Sequence, residues 1–538
     1  MADRFEAIAE TGLSERLLET MLAEHRRERL PRLETLWRYF RNPLEAVGRG
    51  GVPSGPTGGP RFRSAQEDGL PSRITGRKAD GSFGTRREVV VENDIAWRLQ
   101  TMVDFLVGDP VRIVSTAGDD ATRGVVERVL DAVWEASGGL AMLQDAVLLG
   151  HVHGYVDFVV RIDEEAMLRR AEVLRAQAGR GDFGEIASLV RIEPVEPRRG
   201  TPVVSDADYR ELEAYCVCFE RVMNEVGEAR TPSRESRVAK LFGRGRKDGV
   251  ARDEPFSGAG AAAGSASYRL GGRGVGRRRT VEVVEVFGKG VRARYEDGAL
   301  IELERSVLLP DAVPVVHVQN LSQPFRYEGL GEVEPLIPLQ DELNTRLSDR
   351  ANRVTLQSFR MYLAKRLDKI GDIGVGPGQV WTTDDPDADI KAFGGDAASP
   401  SESEHIEQIR EAMDKASAVP PLASGVVRGR IGNLSSGNAL RITLLSLLSK
   451  TSRKRVTYGA GIERVSRLVL GALDAAGVVP TRPDERGLRV VWPEAQALDT
   501  EAEVRVAEMK AGLGVPRERV LAELGYGVGE SDIDTGVE

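Results

Sequence analysis

The stretch GEVEPLIPLQDELNTRLSDRANRVTLQSF, residues 331–359, decides how the chain is organised. Apolar side chains recur in it at helical spacing and share one narrow stripe. They are Val333, Leu336, Leu339 or Gln340, Leu343, Leu347, Ala351 and Val354. Pro335 and Pro338 suit only the first turn of a helix, so the pattern predicts a helix from about 335 to 357. A helix with so narrow an apolar stripe is typical of one that packs between neighbours.

The residues that follow predict a small unit and a second helix. Residues 358–398 are expected to form a compact unit whose strands are MYLAK (361–365) and GQVWTT (378–383). Ser401 and Glu404 have the spacing of a capping box, which predicts the start of the second helix.

A very long apolar helix is predicted further along, after a loop. Ser436 is expected to cap it, and Gly459 and Gly461 are expected to bend it. Thr500 and Glu503 form another capping box, which predicts two short helices at the C-terminal end.

Residues 1–330 alternate between helical and strand patterns, which predicts a mixed α/β body. Asn93 is expected to cap a helix that ends at Gly108. The dipeptide Asp297-Gly298 between two alternating runs is a strong signal of a β-hairpin. Together with the helices that follow, the whole chain is predicted to be mixed α/β and predominantly α.

Charge is unevenly distributed along the 538 residues. The net charge is −9, which argues against a general nucleic-acid coat, since that role needs a broad basic surface. Residues 221–280 hold 14 Lys and Arg against 6 Asp and Glu, so they carry +8 and the remainder carries −17. This segment and residues 48–88 are rich in glycine and poor in large apolar side chains, and both are predicted to be mobile loops.

Compartment signals are few. Two cysteines exclude a disulfide framework and favour a reducing compartment. No apolar run approaches the length of a membrane helix, and MADRFEAIAE has no signal-peptide core, so neither secretion nor membrane insertion is expected.

Motifs of catalysis or metal binding are missing from the sequence. It has no P-loop, HExxH, G-x-S-x-G or paired CxxC, so we predict no catalytic residue, no cofactor and no metal. His151 and His153 are expected on one face of a strand after a helix that stops at Gly150. They could hold a metal, although a partly buried strand explains them more simply. Cys216 and Cys218 share a strand face and are read as buried thiols.

Several motifs, in their order along the chain, carry a resemblance to one family. They are YFRNPL (39–44), VENDIAWRLQTMVDFLVGDPVRI (91–113), LLGHVHGYVDFVVRID (148–163), GEVEPLIPLQDELNTRLSDRANR (331–353), LSSGNALRITLLSLLSKTSRKR (434–455) and ALDTEAEVRVAEMKAGLGVPRERVLAELG (497–525). In this order they resemble the portal proteins of tailed bacteriophages, the head-to-tail connectors, of the siphophage type.

The resemblance implies a portal-type subunit with seven parts. They are an α/β wing (1–330), stem helix 1 (331–357), a small α/β clip (358–398), stem helix 2 (399–418), a tunnel loop (419–434), a long bent helix with further wing (435–498) and a helical crown (499–538). These boundaries are expectations that follow from the resemblance.

The implied function is structural. About twelve copies would form a ring at one capsid vertex of the virion, assembled in the host cytoplasm, with an axial channel for packaging and ejecting double-stranded DNA. The implied partners are other copies of the chain, terminase, major capsid or scaffold protein, and head-completion or adaptor proteins.

Candidate site residues follow from this resemblance. The tunnel loop offers Arg428 and Arg430 to DNA, although they could instead pair with carboxylates of the next subunit. The resemblance implies further candidates in three regions, the long helix, the clip and the stem. They are Lys450, Arg453, Lys454 and Arg455 as possible DNA-facing residues of the long helix, Arg360, Lys365, Arg366 and Trp381 at the clip interface, and Asp341, Glu342, Arg346, Asp349 and Arg350 between stems of neighbouring subunits.

Two other kinds of protein stay open at this point. One is a nucleic-acid-processing enzyme whose site is scattered and free of known motifs. The other is a DNA-binding adaptor or scaffold protein that uses the basic loop 221–280.

Overall fold

The computed structural model describes residues 4–46, 62–76, 87–208, 211–224, 278–358, 361–365, 387, 389–393, 400–424, 437–493 and 507–523. The helices are α1 Glu15–Glu24, α2 Leu30–Arg41, α3 Ser72–Thr75, α4 Asp94–Val107, α5 Asp120–Ala136, α6 Gly139–His153, α7 Glu164–Arg169, α8 Ala171–Gly179, α9 Gly184–Ser188, α10 Ile337–Ser358, α11 Pro400–Ser417, α12 Gly437–Ala475, α13 507–512 and α14 Arg517–Glu523. A π-helical turn, His25–Arg29, joins α1 to α2.

The strands form two larger antiparallel sheets and three small pairs. The strands are β1 Leu44–Ala46, β2 Phe62–Ser64, β3 Arg112–Ser115, β4 Tyr155–Ile162, β5 Val190–Val195, β6 Gly200–Val204, β7 Leu212–Asn224, β8 Arg278–Gly288, β9 Val291–Glu296, β10 Ala299–Arg305, β11 Val315–Gln319, β12 Met361–Lys365, β13 Asp389–Phe393 and β14 Leu488–Val491. The order is β10-β9-β8-β7-β6 in one sheet and β11-β4-β5 in the other, with β1-β2, β12-β13 and β14-β3 as pairs. The predicted mixed α/β, predominantly α, fold class is confirmed.

Two hydrophobic cores hold the body and the helix pair α10/α11. The larger core packs α5, α6 and α12 against the three-stranded sheet, around Val129, Phe158 and Val469. The second core packs α2 and α4 against α10 and α11, around Leu99 and Leu343. The pair α10/α11 is therefore joined to the body by apolar burial at its base.

Several local predictions are confirmed. Asn93 caps α4 by accepting a hydrogen bond from the Ala96 amide at 3.3 Å. The hairpin between β9 and β10 turns at Asp297 and Gly298, both with positive φ. A 3-10 turn over Glu334–Leu336 leads into α10, so the predicted stem helix forms with its prolines at the start.

The end of α6 corrects one prediction. The helix does not stop at Gly150 but continues to His153, and Gly154 ends it with a φ of +92°. His151 and His153 therefore lie on the last turn of a helix and not on a strand. Gly150 serves packing instead, since a Cβ there would lie 2.0 Å from the Tyr458 hydroxyl oxygen.

The two predicted mobile loops contain regular structure. Within 48–88, β2 pairs with β1, and the buried Gln66 side chain donates a hydrogen bond to the Tyr39 carbonyl at 2.7 Å. Within 221–280, Asn224 and Arg278 pair at the ends of β7 and β8. The prediction of a loop is wrong for these parts, where buried side chains or strand pairing hold the backbone. The rest of both loops lies outside the described residues.

Other predicted boundaries have different outcomes. The helix α11 begins at Pro400, so Ser401 lies inside it and the predicted capping box is wrong; proline suits the first helical position because it needs no amide donor there. The strand MYLAK is confirmed as β12, and it pairs with β13. GQVWTT, Ser436, Thr500 and Glu503 lie outside the described residues.

The helix α12 runs unbroken from Gly437 to Ala475 through both interior glycines. A Cβ at Gly461 would lie 2.3 Å from Cγ2 of Val318 on β11, whereas a Cβ at Gly459 would have 3.5 Å to its nearest neighbour. Gly461 therefore allows the helix to lie close against the three-stranded sheet.

Candidate functional site

A buried charged cluster lies where the body meets the helix pair α10/α11. Glu332 precedes α10, and its amide donates to the His151 carbonyl at 2.7 Å. Lys450 of α12 donates to the Glu332 carboxylate and, at 2.9 Å, to the carbonyl of Ser417, the last residue of α11. The Lys454 ammonium lies 2.7 Å from Glu332 Oε1. Glu332 thus links α12 to the segment before α10, and Lys450 links it to the end of α11.

Burial and the excess of two lysines over one carboxylate together determine the pKa values in this cluster. Burial alone would raise the pKa of Glu332, but Lys454 and Lys450 outweigh burial and lower this pKa to about 2. Burial lowers the pKa of Lys454 to about 8, and Glu332 offsets only part of that effect. Burial also lowers the pKa of His151, which Lys454 lowers further. Two ammonium groups therefore share one carboxylate.

A second buried ion-pair cluster is centred on Arg98 of α4, whose side chain is 0% exposed. Its guanidinium lies 2.7 Å from Asp414 and 3.4 Å from Asp94, and it donates to the Val419 carbonyl at 3.1 Å. Leaving a buried charge unpaired costs several kcal/mol, so these contacts fix α11 firmly to the body. The Arg98 cluster thus holds the end of α11, shortly before residue 425. The Glu332 cluster holds α12, which follows residue 436.

A surface cavity of about 760 Å³ lies beside Glu332 and Lys450. Its arginines Arg29 and Arg32 are both bonded to Glu328, at 3.1 and 2.8 Å. Of the cations that line the cavity, Arg29, Arg32 and Lys450 thus already have carboxylate partners, and Arg326 is exposed. Within the described residues, no group of three or more His, Cys, Asp or Glu is placed to hold a metal ion.

The predicted DNA-facing residues separate into three groups. Arg428 and Arg430 lie outside the described residues. Lys450 and Lys454 are buried ion-pair partners of Glu332, so the prediction that they face DNA is wrong. Of the remaining two predicted residues, Arg453 is exposed. The guanidinium of Arg455 donates to the Pro493 carbonyl at 2.6 Å and lies over the Trp492 ring.

The predicted stem residues have partners within the chain. The Tyr39 hydroxyl donates to Asp341 at 2.9 Å, Glu342 pairs with Arg346 at 2.7 Å, and Asp349 pairs with Arg73. Arg350 is exposed. Pairing between neighbouring subunits stays a prediction.

Most of the predicted clip residues lie outside the described residues. Arg360, Arg366 and Trp381 lie outside the described residues. Lys365 ends β12, in register with Asp389 of β13.

Both buried clusters were missed by the sequence analysis. A signal for Lys450 and Lys454 was present: they lie four residues apart and in phase with the buried Leu447 and Tyr458. Glu332 offered no such signal, because its partners lie more than a hundred residues away. His153 was misplaced as well: it lies parallel to the Trp37 ring, and burial lowers its pKa to about 3.

The cysteines match their prediction in part. Both Cys216 and Cys218 are free thiols on β7. Cys216 is buried, which raises its pKa to about 12, whereas Cys218 is half-buried. No helix in the described ranges has the length and apolar character needed to cross a membrane.

The architecture defines a class: an α/β body, a helix pair anchored to it by buried charges, a two-stranded unit between those helices, and a long helix that returns to the body. The family model of phage portal proteins, SPP1 Gp6-like, matches residues 305–525, the part of the chain that holds the helix pair and the long helix. The resemblance to tailed-phage portal proteins is thereby confirmed.

Two solved structures are similar to the chain at 12% sequence identity. One is titled as the virion of a native gene transfer agent particle, with a TM-score of 0.40, 80% of this chain covered and 89% of the other. The second is titled as the neck of an empty gene transfer agent particle computed with C6 symmetry, with a TM-score of 0.42, 84% of this chain covered and 99% of the other. No curated protein matches the sequence.

Proposed function

We propose that this chain is the subunit of a portal ring at one vertex of a virion. About twelve copies surround an axial channel through which double-stranded DNA is packaged and ejected. The observation that carries this proposal is the family match over residues 305–525, which covers the proposed stem, clip, tunnel loop and long helix. The role is structural, without catalysis or a cofactor, and the ring is assembled in the host cytoplasm.

Electrostatics support a conduit that does not retain DNA. Ring symmetry repeats each inward-facing charge once per subunit, and affinity for duplex DNA grows with the number of neutralised phosphates. The exposed face of α11 carries Glu404, Glu407 and Glu411, with Lys415 in the last turn of the same row. We infer that this acidic face lines the channel, where it repels phosphate, and that contact with DNA is limited to Arg428 and Arg430 of the tunnel loop.

The buried charges at the base of the stem support the same function. DNA passing through the tunnel loop pulls on both chain ends that carry this loop. Arg98 holds the end of α11, and Glu332 holds α12, each through several charged contacts. Such anchoring keeps the channel wall in place while DNA passes.

The clip is proposed to bind terminase during packaging and head-completion or adaptor proteins afterwards, while the wing contacts major capsid or scaffold protein. Deletion of 358–398 is expected to abolish capture of terminase and to leave the wing and crown folded. A pull-down that still recovers terminase with the deleted chain would contradict this assignment.

Native mass spectrometry of the purified full chain tests the ring. Twelve copies of a 58.6 kDa chain give about 700 kDa. A monomer or dimer with nuclease or ATPase activity would instead favour a processing enzyme. DNA binding without rings, lost on deletion of 225–277, would favour an adaptor or scaffold protein.

A further inference from the structure

The outward face of α12 is apolar and uncovered in the single chain. Ile442, Leu445 and Val456 are 73%, 63% and 72% exposed. With Ser449 and Ser452 they follow each other at intervals of three and four residues, the spacing of a helix-packing seam. The two serines are small enough for another helix to approach closely. An uncovered apolar stripe of this kind marks a protein interface in a soluble protein.

The helix α4 lies on the opposite side of α12. Leu447 of α12 packs with Met102 of α4 in one apolar cluster. Val456 lies nine residues after Leu447, which is two and a half helical turns, so it points away from α4. Asp104 lies two residues after Met102, a little more than half a turn, so it points away from α12. The α4–α12 layer therefore has two different outward faces.

The outward face of α4 carries a carboxylate that lacks a cation. Gln100 and Asp104 are exposed there. Asp104 has no ion-pair partner among the residues that the structure describes, although its surroundings are dry enough to raise its pKa. An exposed carboxylate of this kind is accessible to a cation from another chain.

The outward face of α12 carries the complementary cation. Arg453 is exposed on the stripe, between Ser452 and Val456. Across the described ranges it forms no ion pair, whereas the neighbouring Lys450, Lys454 and Arg455 are all engaged within the chain. The charge of Arg453 on one face of the α4–α12 layer thus complements that of Asp104 on the other.

We propose that the α12 stripe of one copy packs on the outward face of α4 of the next copy, with Arg453 paired to Asp104. The contact joins two different surfaces, so it is head-to-tail, and repeated contacts of that type form a ring when the rotation between neighbouring copies closes. The inference rests on the proposed ring and adds to it the surfaces that neighbouring subunits share. It also assigns Arg453 to the subunit interface and not to DNA.

Charge exchange in the full chain tests this pairing. Arg453→Asp and Asp104→Arg each place like charges together, and each is expected to raise the protein concentration needed for ring assembly by about tenfold or more. The double variant Arg453→Asp with Asp104→Arg restores the attraction and is expected to assemble within about threefold of the wild type. Arg16→Asp, a matched reversal on the exposed side of α1, is the control and leaves assembly unchanged.

The possible results distinguish a failure of the proposed interface from a failure of the proposed ring. Wild-type rings that are unaffected by both single reversals, or a double variant no better than the singles, would overturn the proposed pairing and leave the ring intact. A wild-type chain that forms no ring at all would overturn the proposed function itself. Circular dichroism of each variant establishes that the chain is folded before assembly is measured.

Cross-linking gives an independent measurement that does not depend on reversed charges. Arg453→Cys and Asp104→Cys are combined in a Cys218→Ser chain and treated with a short bis-maleimide. A head-to-tail contact is expected to give a ladder of covalent oligomers that extends beyond the dimer. A ladder that stops at the dimer, or no cross-link in assembled rings, would contradict the proposal. The Arg453→Cys chain without the second cysteine is the matched control.

Discussion

Removing the carboxylate of Glu332 tests how α12 is fixed to the helix pair α10/α11. The variant Glu332→Gln keeps the shape of the side chain but leaves the Lys450 and Lys454 ammonium groups buried without an anion. Breaking a buried ion pair from one side costs about 3–5 kcal/mol. We therefore expect the free energy of unfolding to fall by about that amount at neutral pH.

The matched variant is Lys454→Met, which removes a charge from the same cluster. Burial lowers the pKa of Lys454 to about 8 although Glu332 is adjacent, so Lys454 is the poorly compensated ion of the three. Its removal leaves one carboxylate and one ammonium group. We expect Lys454→Met to change the free energy of unfolding by about 1 kcal/mol or less, since Glu332 keeps Lys450 as its partner and no buried charge is left unpaired.

The assay is urea unfolding of the dilute, unassembled chain at pH 7, followed by circular dichroism, with wild type and both variants measured side by side. The reasoning is refuted if Glu332→Gln unfolds within about 1 kcal/mol of the wild type, or if Lys454→Met costs as much as Glu332→Gln.

The pH dependence of the same comparison gives a second check. The Glu332 pKa falls from an ordinary 4.5 to about 2 in the folded chain, so the carboxylate contributes stability above pH 4.5 that is lost as the pH falls towards 2. The gap between wild type and Glu332→Gln is expected to narrow in that window. Burial lowers the pKa of His153 in both proteins, so its loss of stability below pH 6.5 cancels in the difference. The contribution of His151 does not cancel completely, because Glu332 raises its pKa and the variant lacks that carboxylate.

Two further predictions concern α12 and the tunnel loop. Gly461→Ala is expected to destabilise the chain by about 1–3 kcal/mol in urea unfolding, because its Cβ would clash with Val318. Gly459→Ala, the matched control, is expected to be tolerated or stabilising. Equal effects of the two variants would contradict the packing of α12 against β11. Arg428→Glu combined with Arg430→Glu is expected to leave rings intact in electron micrographs and to impair DNA packaging or retention, and normal filling and infectivity would exclude the loop from that role.

The helical parts of this fold were predictable because each follows from a local pattern of residues in the sequence. The stripe of apolar residues and the two early prolines predicted α10 within about one turn of its observed start. Asn93 and the Asp297-Gly298 turn were likewise local signals. Gly150 misled the prediction, since a glycine that ends a helix and a glycine that admits a tyrosine hydroxyl look the same in a sequence.

The buried charges were less predictable for a physical reason. A lysine in a helix is usually a solvated residue, and only its phase relative to buried neighbours indicates otherwise. Lys450 and Lys454 become buried because Glu332, far away in the chain, neutralises them. Long-range compensation of this kind depends on tertiary contacts that no local pattern contains.

The most direct test of the ring is an image of the purified full-length assembly viewed along its axis. We expect identical copies, about twelve in number, arranged around a hole wide enough for a DNA duplex, with the acidic face of α11 towards that hole. A chain that stays solitary at high concentration, or a channel lined uniformly by basic side chains, would contradict the proposal.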